Sequence, residues 1–288
     1  MSERFAAEDS YLSFFAVEHR LRSMVPCCRK SILCYPELPK EWHVIHKMIY
    51  LLGYQVTNDY KGKFDLAINW EDTTVRSHCA ELFGIARRLA VINLQCSDIS
   101  KTRVDRVLRE VFGYGLAVNP LSFDGLCVRK SEKNFAHDGR VIQCPVLFME
   151  KGYVYQRVVD NTVEQSFVKD IRIPVIGDKI PFVYLKYRAI DQRFSAINTR
   201  VCVVGSRKVL TKMEQENIIL FSRRMGLDYG ELDAARDNKD GQLYIFDVNN
   251  TPSGPPNHIS RWGYARALRS LSTAFEKSFG IRSRTKLI

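Results

Sequence analysis

Residues Leu232 to Pro256 read LDAARDNKDGQLYIFDVNNTPSGPP. Asn238-Lys239-Asp240-Gly241 carries an Asp-Gly turn signal, and the QLYIFDV that follows has strand composition. The stretch reads as a β-hairpin with Asp233 at its start and Asp247 at its end, fourteen residues apart. Asn249 stands two residues beyond Asp247 and points to the same side of an extended chain. Pairing across the hairpin would bring Asp233, Asp247 and Asn249 together. Three hard oxygen donors with no soft ligand suit Mg²⁺ held against phosphates, with Mn²⁺ as an alternative. Thr251 to Pro256 adds a stiff loop with two hydroxyls. The competing reading is an exposed hairpin with Asp at its ends.

Working outward, 288 residues with 45% hydrophobic content suffice for a large core in one domain or a few packed subdomains. No apolar run approaches the roughly 20 residues of a membrane span. The early acidic residues lack signal-peptide character, and eight scattered Cys without CxxC read as reduced thiols in a cytoplasm. The net charge of +11 is distributed, with a modest basic cluster at the end. It suits anionic ligands more than a nucleic-acid stripe, and a polyanion binder ranks behind.

Upstream, the chain falls into two grammars. Helix 11–24, strand 31–35, helix 41–52 closed by Gly53, strand 64–70, helix 82–89 and strand 90–93 alternate as a parallel α/β unit. His43 and His46, three apart, have no further ligand nearby and read as packed or exposed side chains. Asn69 to Asp72 reads as a capped loop. Asp98 or Ser100 caps a helix running to about Glu110, with Val104, Val107, Leu108 and Val111 on one face. Lys101 sits in its first turn, where a cation opposes the helix dipole and on local grounds reads as a solvated lysine. Strands 126–130, 141–144, 153–159, 167–176 and 180–187 then form antiparallel sheet. The polar segment 131–140, with Lys133, His137 and Arg140, reads as a flap or a plain hairpin loop. Asp170 and Arg172 share one strand face, as do Lys186 and Arg188, giving either a cationic phosphate face or cross-strand ion pairs. Strand 201–204, a helix 211–225 with a Thr211/Glu214 capping box, and a last amphipathic helix 261–279 complete the chain.

From about Asn93 to Phe279 the sequence resembles the ATP-grasp family, most closely its ribosomal-protein glutamate ligase branch. The metal residues Asp233, Asp247 and Asn249 carry that resemblance most specifically, through identity, spacing and hairpin placement. Other matches follow in the family's order. Lys101 and Lys130 match the phosphate-neutralising lysines, with His137 in the flap. Gln156, Arg157 and Val158 fall on the strand that crosses the adenine. Arg172 and Arg188 match the catalytic arginines, and Asn198 a later ATP-site Asn. The flap is poor in Gly, and Asp247 stands where the family's metal residue is Glu, a longer side chain.

The resemblance implies an ATP-grasp fold of the α/β plus α+β class. An N-terminal parallel α/β domain (1–98) would precede two α+β subdomains, 99–190 and 191–288, that sandwich ATP. It implies ATP- and Mg²⁺-dependent joining of a carboxylate to an amine through an acylphosphate, on small molecules or a peptide. It leaves a homodimer open, and it implies neither membrane nor nucleic acid as a partner. The alternative is a kinase of the same fold acting on a hydroxyl.

Overall fold

The computed structural model describes residues 30–280 except Phe135, His137 and Ala196. The expected helix 11–24, the adjacent Cys27-Cys28, His137 and the basic residues after 280 lie outside the described residues.

The alternation of helix and strand builds the parallel unit. Strands β1 (Ser31–Pro36), β2 (Gln55–Thr57), β3 (Leu66–Trp70) and β4 (Val91–Ile92) pair in parallel in the order β2-β1-β3-β4. Helices α1 (Val44–Leu52) and α2 (Ala80–Ala86) serve as crossovers. Gly53, at φ 68°, closes α1 as expected. The start of α1 differs from the expected Glu41. Residues 41–43 form a turn docked on the Pro-rich loop: His43 bridges Ser253, and Val44 N–H donates to Pro252 O at 3.0 Å.

Two antiparallel sheets follow. Strands β5 (Gly125–Ser131), β6 (Arg140–Cys144) and β7 (Tyr153–Arg157) form a small sheet in the order β6-β5-β7. The large sheet runs β11-β10-β9-β12-β13, with β8 beside β9. Its strands are β8 (Thr162–Val163), β9 (Phe167–Ile176), β10 (Val183–Ala189), β11 (Arg200–Val204), β12 (Tyr229–Arg236) and β13 (Leu243–Asn249). The expected segment 99–190 is therefore shared: β5–β7 stand in the small sheet, whereas β8–β10 pair into the large one. β9 and β10 have no free choice here, because β9 carries long antiparallel ladders to both β10 and β12.

Period-2 alternation gives the large sheet its two characters. Ile171, Ile173 and Val175 of β9, with Leu232 and Ala234 of β12, join the core under helices α3 (Lys101–Phe112) and α4 (Lys212–Met225). The opposite face carries Asp170, Arg172, Lys186, Arg188, Glu231 and Asp233. A second core lies beside that polar face, where Tyr184 and Tyr229 meet β1, β3, α1 and the last helix α5 (Arg261–Phe279). The capping box on α4 is complete, with Thr211 Oγ1 accepting from Glu214 N–H and Glu214 reaching back to Thr211 N–H. Strand β11, expected to be buried, is mostly half-buried because it is an edge.

Candidate active site

The β12–β13 ladder places Asp233 opposite Asp247 and Glu231 opposite Asn249. The juxtaposition expected from the hairpin is present, and Glu231 joins it. The register shifts after Asp233 so that Ala234 faces Ile245, leaving Phe246 as an extra residue. Such a bulge releases a carbonyl from the ladder and twists the strand. The Phe246 carbonyl accepts a bond from Lys130 Nζ at 3.1 Å. The bulge thereby ties the small sheet to the acidic pair.

Asp233 is buried and fully engaged. Oδ1 accepts from Arg172 Nε and from Lys186 Nζ, both at 2.9 Å. Oδ2 accepts from Arg172 Nη2 at 2.8 Å and from Asn249 Nδ2 at 3.2 Å. Burial alone would raise its pKa, but Arg172 and Lys186 hold it well below the usual carboxylate range. Asp247 is half-buried and accepts a bond from Val248 N–H at 3.1 Å. Burial pushes its carboxyl up, opposed by Lys101 and Lys130. Asn249 donates from its amide nitrogen to Asp233, and its amide oxygen is the group it has to offer a cation.

Neighbouring strands supply the cations. Arg172 of β9 lies between Tyr184 of β10 and Asp233 of β12 in register. Its Nη1 also stands 3.5 Å from Glu231. Arg188 pairs with Asp170 and donates to Asn198 Oδ1 at 3.4 Å, so these three residues form one buried group. Burial lowers the pKa of Lys186, with Arg172 acting in the same direction and Asp233 opposing.

Lys101 is buried at 6% exposure, which corrects the reading of its first-turn position as solvated. Its Nζ donates to the Lys133 carbonyl at 3.1 Å and to Asn134 Oδ1 at 3.2 Å, in the 131–140 segment. Asn134 Nδ2 also donates to the Val248 carbonyl at 3.1 Å, and a second tether comes from its backbone N–H, which donates to Thr74 Oγ1 at 2.9 Å. The segment is thus fastened over α3 and β13, with Lys133 and Arg140 exposed. Ser100, rather than Asp98, caps α3; Asp98 instead accepts from Ser100 N–H. Lys130 has its pKa pulled down to about 8 by burial, with Asp247 opposing and Lys101 adding to the fall.

The expected adenine strand ends at Arg157, one residue before Val158. Gln156 is buried and lies between Val128 of β5 and Ala117. Arg157 turns toward the hairpin tip, donating to Tyr244 Oη at 2.9 Å beside Asp237 and Asp240. Val158 lies just past the ladder. The 251–256 loop docks on the parallel unit: Thr251 Oγ1 donates to Asp72 at 2.8 Å and Lys47 Nζ to the Gly254 carbonyl at 2.7 Å. His43 is buried against Trp70, with ring centroids 5.2 Å apart. Among the described residues no cluster of three or more His, Cys, Asp or Glu forms a separate metal site.

Reading the sequence missed Glu231 and Asn134, and left Lys186 between a phosphate face and cross-strand ion pairs; its Nζ pairs with Asp233. Glu231 carried one signal, since it lies two residues before Asp233 and must share its face.

Three sheets in this order, closing on a polar ladder, define the ATP-grasp fold, and solved structures match it over 85–87% of the chain. The ATP-grasp ligase PsnB complexed with a minimal precursor superposes with a TM-score of 0.53 at 14% identity, over 85% of this chain and 98% of PsnB. D-alanine–D-alanine ligase from Bacillus anthracis, complexed with ATP, gives 0.53 at 13% identity, over 86% and 96%. A RimK-domain ATP-grasp protein from Sphaerobacter thermophilus gives 0.50 at 12% identity, over 87% and 99%. No family model matches the sequence. No curated protein matches it. No helix among the described residues is long and apolar enough to cross a membrane.

Proposed function

We propose that the chain is an ATP- and Mg²⁺-dependent ligase that joins a carboxylate to an amine through an acylphosphate. One observation carries the reading: Lys130 of β5 bonds the Phe246 carbonyl and Lys101 of α3 reaches the Val248 carbonyl through Asn134, so both lysines act on Asp247 between them. Oxygen donors beside paired lysines suit a metal–polyphosphate ligand. The fold supports it, since PsnB and the Bacillus anthracis enzyme of that fold are ligases by name. The PsnB structures include a precursor peptide, which keeps a peptide substrate alongside small molecules.

The donor set fits a hard cation. Asp247 and Asn249 have oxygens to offer, and Asp233 lies behind them, held by Arg172 and Lys186. When bound, Mg²⁺ would neutralise charge on the β- and γ-phosphates. Lys101 and Lys130 bind the phosphate chain from the other side. Gln156 to Val158 border the adenine, with Asn198 farther along the site beside Arg188. A substrate carboxylate oxygen attacks the γ-phosphorus, the β–γ bridging P–O bond breaks, and ADP leaves. Arg188, with Arg172 acting from its place beside Asp233 and Glu231, stabilises charge on the transferring group. The amine nitrogen then attacks the acyl carbon, the C–O bond to phosphate breaks, and inorganic phosphate departs, taking up the proton that the nitrogen loses as the amide forms. No protein nucleophile is needed.

The test is ADP release from Mg·ATP with pools of carboxylates and amines, against pools of alcohols. Amine-dependent release, abolished in Asp247→Ala, is the expected result. Alcohol-dependent release without amine would transfer the reading to a kinase. Unchanged release by Asp247→Ala would remove Asp247 from the metal site.

A further inference from the structure

The buried Glu231 has no role in the reaction above, and its surroundings make that costly. It is 2% exposed, and neither of its carboxylate oxygens accepts a hydrogen bond. A buried carboxylate in that condition loses its hydration without replacement. Its nearest counter-charge is Arg172 Nη1, 3.5 Å away, with Lys186 farther off, and both cations are already spent on Asp233.

Asp233 shows the opposite imbalance. A carboxylate has about four lone-pair positions. Arg172 fills two, Lys186 one and Asn249 one. A divalent cation can reach Asp233 only if one of these donors leaves. Arg172 has somewhere to go. Glu231 and Asp233 lie two apart on β12, so their side chains share one face. The guanidinium touches both, and its planar fork can pair with either carboxylate.

We infer that Glu231 is a positioning residue: it takes Arg172 from Asp233 when a divalent cation enters, and so makes Asp233 available as a metal ligand. The inference rests on the metal site proposed above. The exchange relieves the uneven pairing. Before it, Arg172 and Lys186 neutralise Asp233 and Glu231 is the under-paired carboxylate; after it, Arg172 neutralises Glu231 while Lys186 and the cation remain with Asp233. Moving a bidentate pair between adjacent carboxylates costs far less than exposing or orphaning one of them.

The test is Mn²⁺ binding to the full chain with ADP, read from the free-ion signal in electron paramagnetic resonance. Glu231→Gln should weaken Mn²⁺ binding about tenfold or more, and Glu231→Asp should recover part of the loss. The decisive comparison is made in an Arg172→Met background. With no guanidinium to pass on, adding Glu231→Gln should change Mn²⁺ affinity by less than about twofold. That double variant also removes both buried charges together, so the comparison survives if Glu231→Gln alone does not fold. An undiminished Mn²⁺ affinity in folded Glu231→Gln overturns the inference. So does an equal loss with and without Arg172, which would make Glu231 a ligand itself. A wild-type chain that fails to hold Mn²⁺ with ADP strikes the proposed function first and this inference with it. Wild-type binding with an unaffected Glu231→Gln strikes the inference alone.

Discussion

At the scale of single residues, Lys130 shows how position turns an ordinary side chain into a sensitive one. The sequence places it on a strand just before the 131–140 segment, and nothing local marks it as buried. In the fold its amine meets a bulge carbonyl, and burial draws its pKa from 10.5 to about 8. A phosphate ligand binds the protonated form. Affinity for ADP without metal should therefore fall as pH rises through about 8, and calorimetric titrations at neutral and alkaline pH would show it. Lys130→Met should bind ADP weakly at both pH values and lose the slope; a slope that survives assigns it to another group. The unliganded fold responds in the opposite sense. Between about 8 and the ordinary lysine value the unfolded chain holds more protons at this site, so its contribution to stability rises with pH. The partners of Glu231 and Lys186 and the burial of Lys101 were equally hidden, because those partners come from strands and loops far along the chain.

At the scale of elements, the hairpin was legible because its information is local. The Asp-Gly turn, the strand run and period-2 alternation together predict that Asp233 meets Asp247, and the ladder has that register. The capping box of α4 and the glycine stop at Gly53 were legible for the same reason. The bulge at Phe246 was not, since a one-residue slip depends on packing across the sheet rather than on turn chemistry. The sheet membership of β8–β10 was not legible either, because their ladder to β12 joins segments far apart in sequence. Gly230 exposes what the register requires. A Cβ there would lie 2.5 Å from the Asn249 carbonyl oxygen, a backbone atom that cannot turn aside. Gly230→Ala should push β12 from β13, costing about 1–3 kcal/mol in denaturant unfolding. It should weaken Mn²⁺–ADP binding by more than that loss of stability explains, because Glu231 and Asn249 sit next to the displaced point. Unchanged metal binding in a destabilised Gly230→Ala would show that the strands separate away from the site.

At the scale of the whole molecule, one side chain fastens the parallel unit to the large sheet. Asn93 follows β4, is fully buried, and has φ 58°, a conformation Asn tolerates better than most residues. Its Nδ2 donates to the Tyr229 carbonyl at 2.7 Å. Its Oδ1 accepts from Asp228 N–H at 2.8 Å and Tyr229 N–H at 2.9 Å, and its own N–H donates to Asp228 Oδ2 at 2.8 Å. The start of β12 is therefore set by the end of β4, although 135 residues separate Asn93 from Asp228. The sequence offered only an Asn at a strand end. Asn93→Ala leaves buried backbone groups of Asp228 and Tyr229 without partners and places Ala at a positive φ. A loss of about 2–4 kcal/mol should follow in denaturant unfolding. Asn93→Gly loses the same side-chain bonds but not the conformational fit, so it should be less damaging than Asn93→Ala by roughly 1 kcal/mol. Equal losses in the two variants would place the whole effect in the hydrogen bonds. A loss in neither would mean that the packing of Tyr229 against Trp70 and Phe275 holds the two sheets together without the Asn93 clamp.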